Sequence, residues 1–130
     1  MNLTSKKVTV QKSGIELCDF LCDVKNFKQL MPDNISKFEV INENAFIFAL
    51  KGMPEIALEV KEVKSPNYVK LGAKSDKLPF TLIGNIEEIN DNSSEITLQF
   101  EGDFNPMMAM MIKGPITKFL ETLVSNLEKS

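Results

Sequence analysis

Residues 106–129 read PMMAMMIKGPITKFLETLVSNLEK. From Ile112 onward the apolar side chains recur at helical spacing. Ile112, Ile116, Phe119, Leu120, Leu123, Val124 and Leu127 form one broad stripe. A stripe that wide must be buried against a large apolar surface. A helix of about 23 residues is ~35 Å long, close to the ~34 Å of a ten-residue strand, so it can cover the whole concave face of a sheet.

The residues before it supply such a sheet. Ile56, Leu58 and Val60 alternate with Ala57, Glu59 and Lys61, the clearest one-face-buried strand in the chain. Strands are also predicted around Ile35, Phe38 and Val40, over Ala45 to Lys51, over Tyr68 to Ser75, over Phe80 to Ile89, and over Glu95 to Gly102. Short turns join them at Asn42-Glu43-Asn44, Gly52-Met53-Pro54, Ser65-Pro66-Asn67, Asp76-Lys77 and Asn90 to Ser94. Consecutive strands on short turns make an antiparallel meander.

At the other end, Leu3 to Lys12 alternates around Val8 and Val10 and reads as a first strand. Ser13-Gly14-Ile15-Glu16 fits a helix capping box, followed by a stripe at Ile15, Cys18, Leu21 and Cys22. A second short helix carries Phe27, Leu30 and Met31 until Pro32 stops it. No internal repeat or linker is visible, so residues 1–130 are expected to form one domain. The fold class is α+β: an antiparallel sheet of about six to seven strands around a long C-terminal helix, with two short helices after the first strand.

This order resembles the START-like superfamily, also called SRPBCC, with its birch-pollen-allergen-like and polyketide-cyclase-like helix-grip members. The resemblance covers essentially the whole chain. Its most specific piece is IELCDFLCDVKNFKQLMPDNISKFEV, residues 15–40, and GPITKFLETLVSNLEK, residues 114–129, is similar to the family's last helix. It implies an apolar cavity between sheet and helix that takes a lipid or other hydrophobic small molecule. Some members of that family catalyse cyclisation or dehydration and some stimulate a chaperone's ATPase. Fold alone does not choose among these.

Composition narrows the chemistry. Apolar residues make up 43% and charged residues 25%, an ordinary globular balance. The net charge of −3 argues against nucleic acid, which needs a concentrated basic surface. All fifteen basic residues are lysines, so no guanidinium fork is present for phosphate or carboxylate. Histidine is absent, which excludes Ser-His-Asp and Cys-His catalysis and histidine-based metal sites. No signal-peptide h-region is seen in Met1 to Ser13, and Met107 to Ile112 is far short of a membrane span. A reducing cytoplasm is the expected home.

Several features admit two readings. Met53, Met107, Met108, Met110 and Met111 suit an adaptable cavity mouth or simple gap-filling core. Gly114-Pro115 predicts a bend or a fresh helix start, which would make residues 106–113 either a lid or a fixed kink. Cys18 and Cys22, one helical turn apart without a CxxC pattern, read as buried free thiols rather than a redox or metal pair. Glu87, Glu88 and Asp91 lack calcium-loop spacing and read as a solvated edge. Tyr68, the only tyrosine, falls at a strand start and reads as structural or surface-facing.

The expected function is non-enzymatic binding of a hydrophobic small molecule or lipid, with no cofactor, metal or catalytic residue. The expected lining is Phe80, Leu82, Leu98 and Phe100 from strands, with Met108, Met111, Ile112 and Phe119 from the helix. A one-residue slip in register would turn each strand set outward. The rivals are a cyclase- or dehydratase-like enzyme, with an acid, tyrosine or lysine in the cavity, and an interaction module whose core is filled.

Overall fold

The final helix does bury its stripe, in the concave face of an antiparallel sheet. The structure, a computed structural model, describes residues 2–53, 55–73 and 80–129. Among these, the strands are β1 (Asn2–Thr4), β2 (Val8–Val10), β3 (Ile35–Asn42), β4 (Ala45–Leu50), β5 (Ile56–Lys64), β6 (Tyr68–Ala73), β7 (Phe80–Asn90) and β8 (Ser93–Gly102). The helices are α1 (Gly14–Cys22), α2 (Phe27–Leu30) and α3 (Pro106–Lys129), with a 3₁₀ turn at Val24–Asn26 before α2. The sheet order is β1-β8-β7-β6-β5-β4-β3, and β2 also pairs with β8. The expected turn at Asp76-Lys77 and the end of the strand at Ser75 lie outside the described residues, as does Pro54.

The expected first strand is two pieces. β1 pairs with β8 as Thr4↔Gln99 and β2 resumes at Val8↔Ile96, so three residues on one strand face two on the other. That is a β-bulge, and Ser5 builds it. Its backbone N–H donates to the Leu98 carbonyl at 2.8 Å, while its hydroxyl oxygen accepts the Leu98 N–H at 2.9 Å and donates to the Lys6 carbonyl at 2.9 Å. The bend keeps Val8 and Val10 turned into the core.

The hairpins β3–β4 and β7–β8 close by one device. The side-chain oxygen of Asn42 accepts the Asn44 N–H at 2.8 Å, and that of Asn90 accepts the Asn92 N–H at 2.8 Å. An asparagine that bonds its own backbone two residues on mimics a turn and fixes strand register. Beyond β4, Gly52 takes φ +83°, a conformation open chiefly to glycine, and lets the Met53 N–H reach the Leu50 carbonyl at 2.9 Å.

Ser13 caps α1, its hydroxyl accepting the Glu16 N–H at 3.1 Å. The buried face of α1 is Gly14, Leu17, Cys18 and Leu21: Cys18 and Leu21 of the expected stripe are buried, Cys22 is half-buried, and Ile15 is 58% exposed. Leu17 and Ile15 both keep helical spacing with Cys18 and Leu21, and the contact with the sheet takes Leu17.

Asn105 caps α3, accepting the Met108 N–H on its side chain at 2.8 Å and the Ala109 N–H on its carbonyl at 2.9 Å. All seven residues of the expected stripe are buried. No fresh start occurs at Pro115, and the helix runs unbroken from Pro106 to Lys129. Proline removes one N–H, the one that would reach Met111. Buried Ile112 and Ile116, on either side of it, hold both halves to the same core. At the far end the Asn126 side-chain amide donates to the Leu30 carbonyl at 2.9 Å, pinning α3 to α2.

Replacing Ser5 by alanine strands the Leu98 N–H in a buried ladder position. The expected loss is about 1–3 kcal/mol of stability, measured by urea denaturation. A loss below a few tenths would mean that water takes over the bond.

Candidate ligand-binding site

Inward-facing residues pair across the sheet in rows, and one row decides which faces point in. Leu3, Phe100, Leu82, Leu71 and Val60 are successive cross-strand partners on β1, β8, β7, β6 and β5. Phe80, Leu82, Leu98 and Phe100 are all buried and belong to one apolar cluster with α3. Their register is therefore the inward one.

Two groups of phenylalanines divide the space between sheet and helix. At one end Phe119 of α3 stacks on Phe48 with centroids 4.9 Å apart and planes within 7°, and Phe48 continues through Phe46 to Phe27 and Phe38. Such stacked pairs contribute about 0.5–1.5 kcal/mol each beyond their burial. These rings join α3 to α2, β3 and β4 at this end. At the other end Phe80 stacks on Phe100 at 5.5 Å, and Phe100 on Phe104 at 6.2 Å.

A cavity lies at this second end. The sheet contributes Ile56, Phe80 and Phe100, the β8–α3 connection contributes Phe104, and Met53 closes one side. Met108, Ile112 and Ile116 of α3 form its roof. Its volume is about 20 Å³, room for about one water molecule. Pockets that enclose small-molecule ligands measure about 300–1,000 Å³, so this one must widen to take one. Among the described residues every lining side chain is apolar, with no acid, base or hydrogen-bond donor.

Gly102 makes the cavity possible. A Cβ placed there would run into the Phe104 ring, so only glycine lets that ring fold back over the sheet end onto Phe100. Gly102 and Phe104 were not among the residues that the sequence singled out. The available signal was an aromatic two residues past a strand-ending glycine, which periodicity does not score.

Of the eight residues expected to line a site, Phe80, Phe100, Met108 and Ile112 meet at the cavity. Leu82 and Leu98 lie deeper in the shared core, and Phe119 belongs to the packed aromatic end. Met111 is a correction: it is 70% exposed, pointing away from the sheet. Positions 108 and 112 are one turn apart and face inward, so 111 falls with 107 and 110 on the opposite side. Met107 and Met110 are 75% and 83% exposed.

The remaining candidates lie elsewhere. Tyr68 is half-buried, with the Lys64 ammonium 5.8 Å from its ring centroid. Glu87 sits directly opposite Glu95 on the outer face and reaches Lys7 at 3.8 Å. Among the described residues no group of three His, Cys, Asp or Glu side chains is placed to hold a metal ion. Cys18 and Cys22 are free thiols. Burial pushes the Cys22 thiol up from 9.0 to about 11, reinforced by Cys18 one turn away and by the charge of Asp19.

Comparison with known proteins bears on the fold. No protein-family model matches the sequence, and no curated protein matches it. Solved structures do match. A START superfamily protein from Mycobacterium smegmatis aligns with TM-score 0.75 over 98% of this chain and 94% of its own, at 15% identity. The fold is the START-like helix-grip fold. A norcoclaurine synthase from Thalictrum flavum, solved with dopamine and hydroxybenzaldehyde, aligns with TM-score 0.69 over 99% and 86% at 12% identity. A conserved protein from Geobacillus kaustophilus does so with TM-score 0.69 over 99% and 93% at 18% identity. No described helix of this START-like chain is long and apolar enough to cross a membrane.

The raised Cys22 value predicts slow chemistry. The thiolate is the reactive form, so at pH 8 iodoacetamide should alkylate native Cys22 roughly a hundredfold more slowly than the urea-unfolded chain. The native rate should climb with pH toward 11, whereas the unfolded rate levels off near 9. Because the unfolded thiol ionises first, this group also lowers native stability as pH rises above 9. Equal native and unfolded rates at pH 8 would contradict the shift.

Proposed function

We propose that this protein binds a hydrophobic small molecule or lipid between its sheet and α3, without transforming it. The observation that carries the reading is the cavity at the end of the sheet, apolar in all its described lining residues, where Phe80, Phe100 and Phe104 face Met108 and Ile112. Its shape is set by side chains that move easily. Met53 and Met108 are unbranched thioethers able to refill or vacate space, and the first two turns of α3 carry their other methionines outside. A ligand enters by lifting Met108 and Ile112 away from Phe100 and Phe104, while Ile116 to Leu127 stay seated. The described lining residues carry no titratable group, and general acid–base catalysis needs one at the reacting atom, which favours carriage over turnover. The likeness to norcoclaurine synthase supports a fold able to hold aromatic compounds, without extending that enzyme's reaction to this chain. Both cysteines are free thiols, which suits a reducing cytoplasm.

A second reading has one observation in its favour. Met107, Met110 and Met111 form an exposed apolar face on α3, which would suit an interaction module with a closed core.

Native mass spectrometry of the freshly purified protein, followed by solvent extraction, separates the two. The carrier reading predicts a stoichiometric apolar adduct of defined mass. Met108→Trp, which fills the cavity from a half-buried position, should reduce that adduct at least tenfold with little change in melting temperature. An apo spectrum, with no thermal shift against lipids and aromatic compounds, would transfer the assignment to the interaction module.

A further inference from the structure

The sheet ends at β3. β4 pairs with one side of it, and among the described residues no strand pairs with the other. An open edge is a row of backbone N–H and C=O groups that can take another strand. Bulges shorten this one: the ladder with β4 shifts between Ile35 and Lys37, and again between Val40 and Asn42. Bulges at an edge guard against open-ended pairing. Between them the strand is regular, from Lys37↔Ala49 through Phe38↔Phe48 and Glu39↔Ile47 to Val40↔Phe46.

The side chains of that stretch divide by face. Phe38 points to the concave side, where its ring stacks on Phe46 at 5.4 Å. Beyond it, Val40 and Ile41 are 36% and 39% exposed. Lys37 and Glu39 share the outer face. The Lys37 ammonium lies 3.8 Å from the Glu39 carboxylate and 3.0 Å from that of Glu55.

The order Lys37-Phe38-Glu39 is complementary to itself. In an antiparallel pair with a twofold axis at Phe38, each Lys37 lies directly opposite a Glu39, and Phe38 lies opposite Phe38. Sliding one strand by two residues keeps every side chain on its own face. It also sets Lys37 against Lys37, or Glu39 against Glu39, and like charges directly opposite are destabilising. Charge therefore selects a single register.

We propose that β3 is the contact of a weak homodimer, in which two copies of this chain join their sheets edge to edge about a twofold axis at Phe38. The occupant of the edge is a second copy because one strand supplies both halves of each charge pair. An ammonium has three N–H donors, so Lys37 can keep Glu55 and still bond Glu39 of the second copy. The row of rings from Phe119 through Phe48 and Phe46 to Phe38 then continues across the axis. Val40 and Ile41 are covered by the Ile35 end of the second strand. The contact is isologous: it uses both β3 edges and stops at two copies. It involves neither the cavity nor the outer methionines of α3, so it stands independently of what the cavity holds.

The test is sedimentation velocity of the full chain from about 5 to 500 µM, a range suited to an interface at the small end of the size scale. The mass should rise from one chain to two across that range. Lys37→Glu and Glu39→Lys should each weaken association at least tenfold and leave the melting temperature almost unchanged, since these side chains lie at the surface. An equimolar mixture of the two variants should recover the dimer, because each strand then meets the opposite charge at both pairs. The double variant Lys37→Glu/Glu39→Lys should dimerise by itself. A monomer at the highest concentration would overturn the proposal, as would a dimer that both single variants leave intact. A dimer lost instead with Met107→Ser, Met110→Ser and Met111→Ser together would place the contact on α3. Failure of the mixture to associate, with the single variants monomeric, would overturn the register.

Discussion

Everything in this molecule depends on one face of α3 being taken out of water by the concave side of the sheet. Each of its large apolar residues contributes about 1.5–3 kcal/mol when fully buried, and the seven on the stripe are buried together. Among the described residues the sheet has no other cover of comparable length, since α1 has nine residues and α2 has four. The bulge at Ser5, the asparagine turns and the Asn126 bond to Leu30 all serve that contact. They set the curvature and register of the sheet, or hold the helix along its length.

The grip is uneven along the helix. From Ile116 to Leu127 it is closed by stacked aromatics, by α2 and by a hydrogen bond to the backbone of Leu30. From Pro106 to Lys113 it has Met108 and Ile112 inward, three exposed methionines outward, and a proline two residues beyond that frees the Met111 carbonyl. Local opening is easiest where buried contacts are fewest. The same asymmetry places the apolar cavity under the weaker half.

Much of this was legible from spacing. The α3 stripe and the alternation of Phe80, Leu82, Leu98 and Phe100 follow from periods of 3.6 and 2, because burial enforces those periods directly. The Ser13 cap follows from its serine three residues before a glutamate. Which strand face points inward came only from the pairing. The exceptions arise where tertiary contact chooses between equal patterns. Ile15 and Leu17 both fit a helical stripe, and only the sheet selects Leu17. Met108 and Met111 look alike in a run of methionines, and only the angular position of Ile112 shows which points inward. Gly102 and Phe104 were invisible because their importance lies in one close approach, a ring lying over a backbone with no Cβ. Ser5 was hidden in an apparently continuous strand, since a bulge leaves the alternation of Val8 and Val10 intact.

The central claim, that α3 has a fixed half and a roof that lifts, is tested most directly by hydrogen exchange on the free protein. Amides of residues 109–113 should exchange at least a hundredfold faster than those of residues 119–127, and an apolar ligand in the cavity should slow the first group selectively. Uniformly slow exchange along the whole helix, with or without ligand, would contradict the account and leave the cavity as a permanent packing gap.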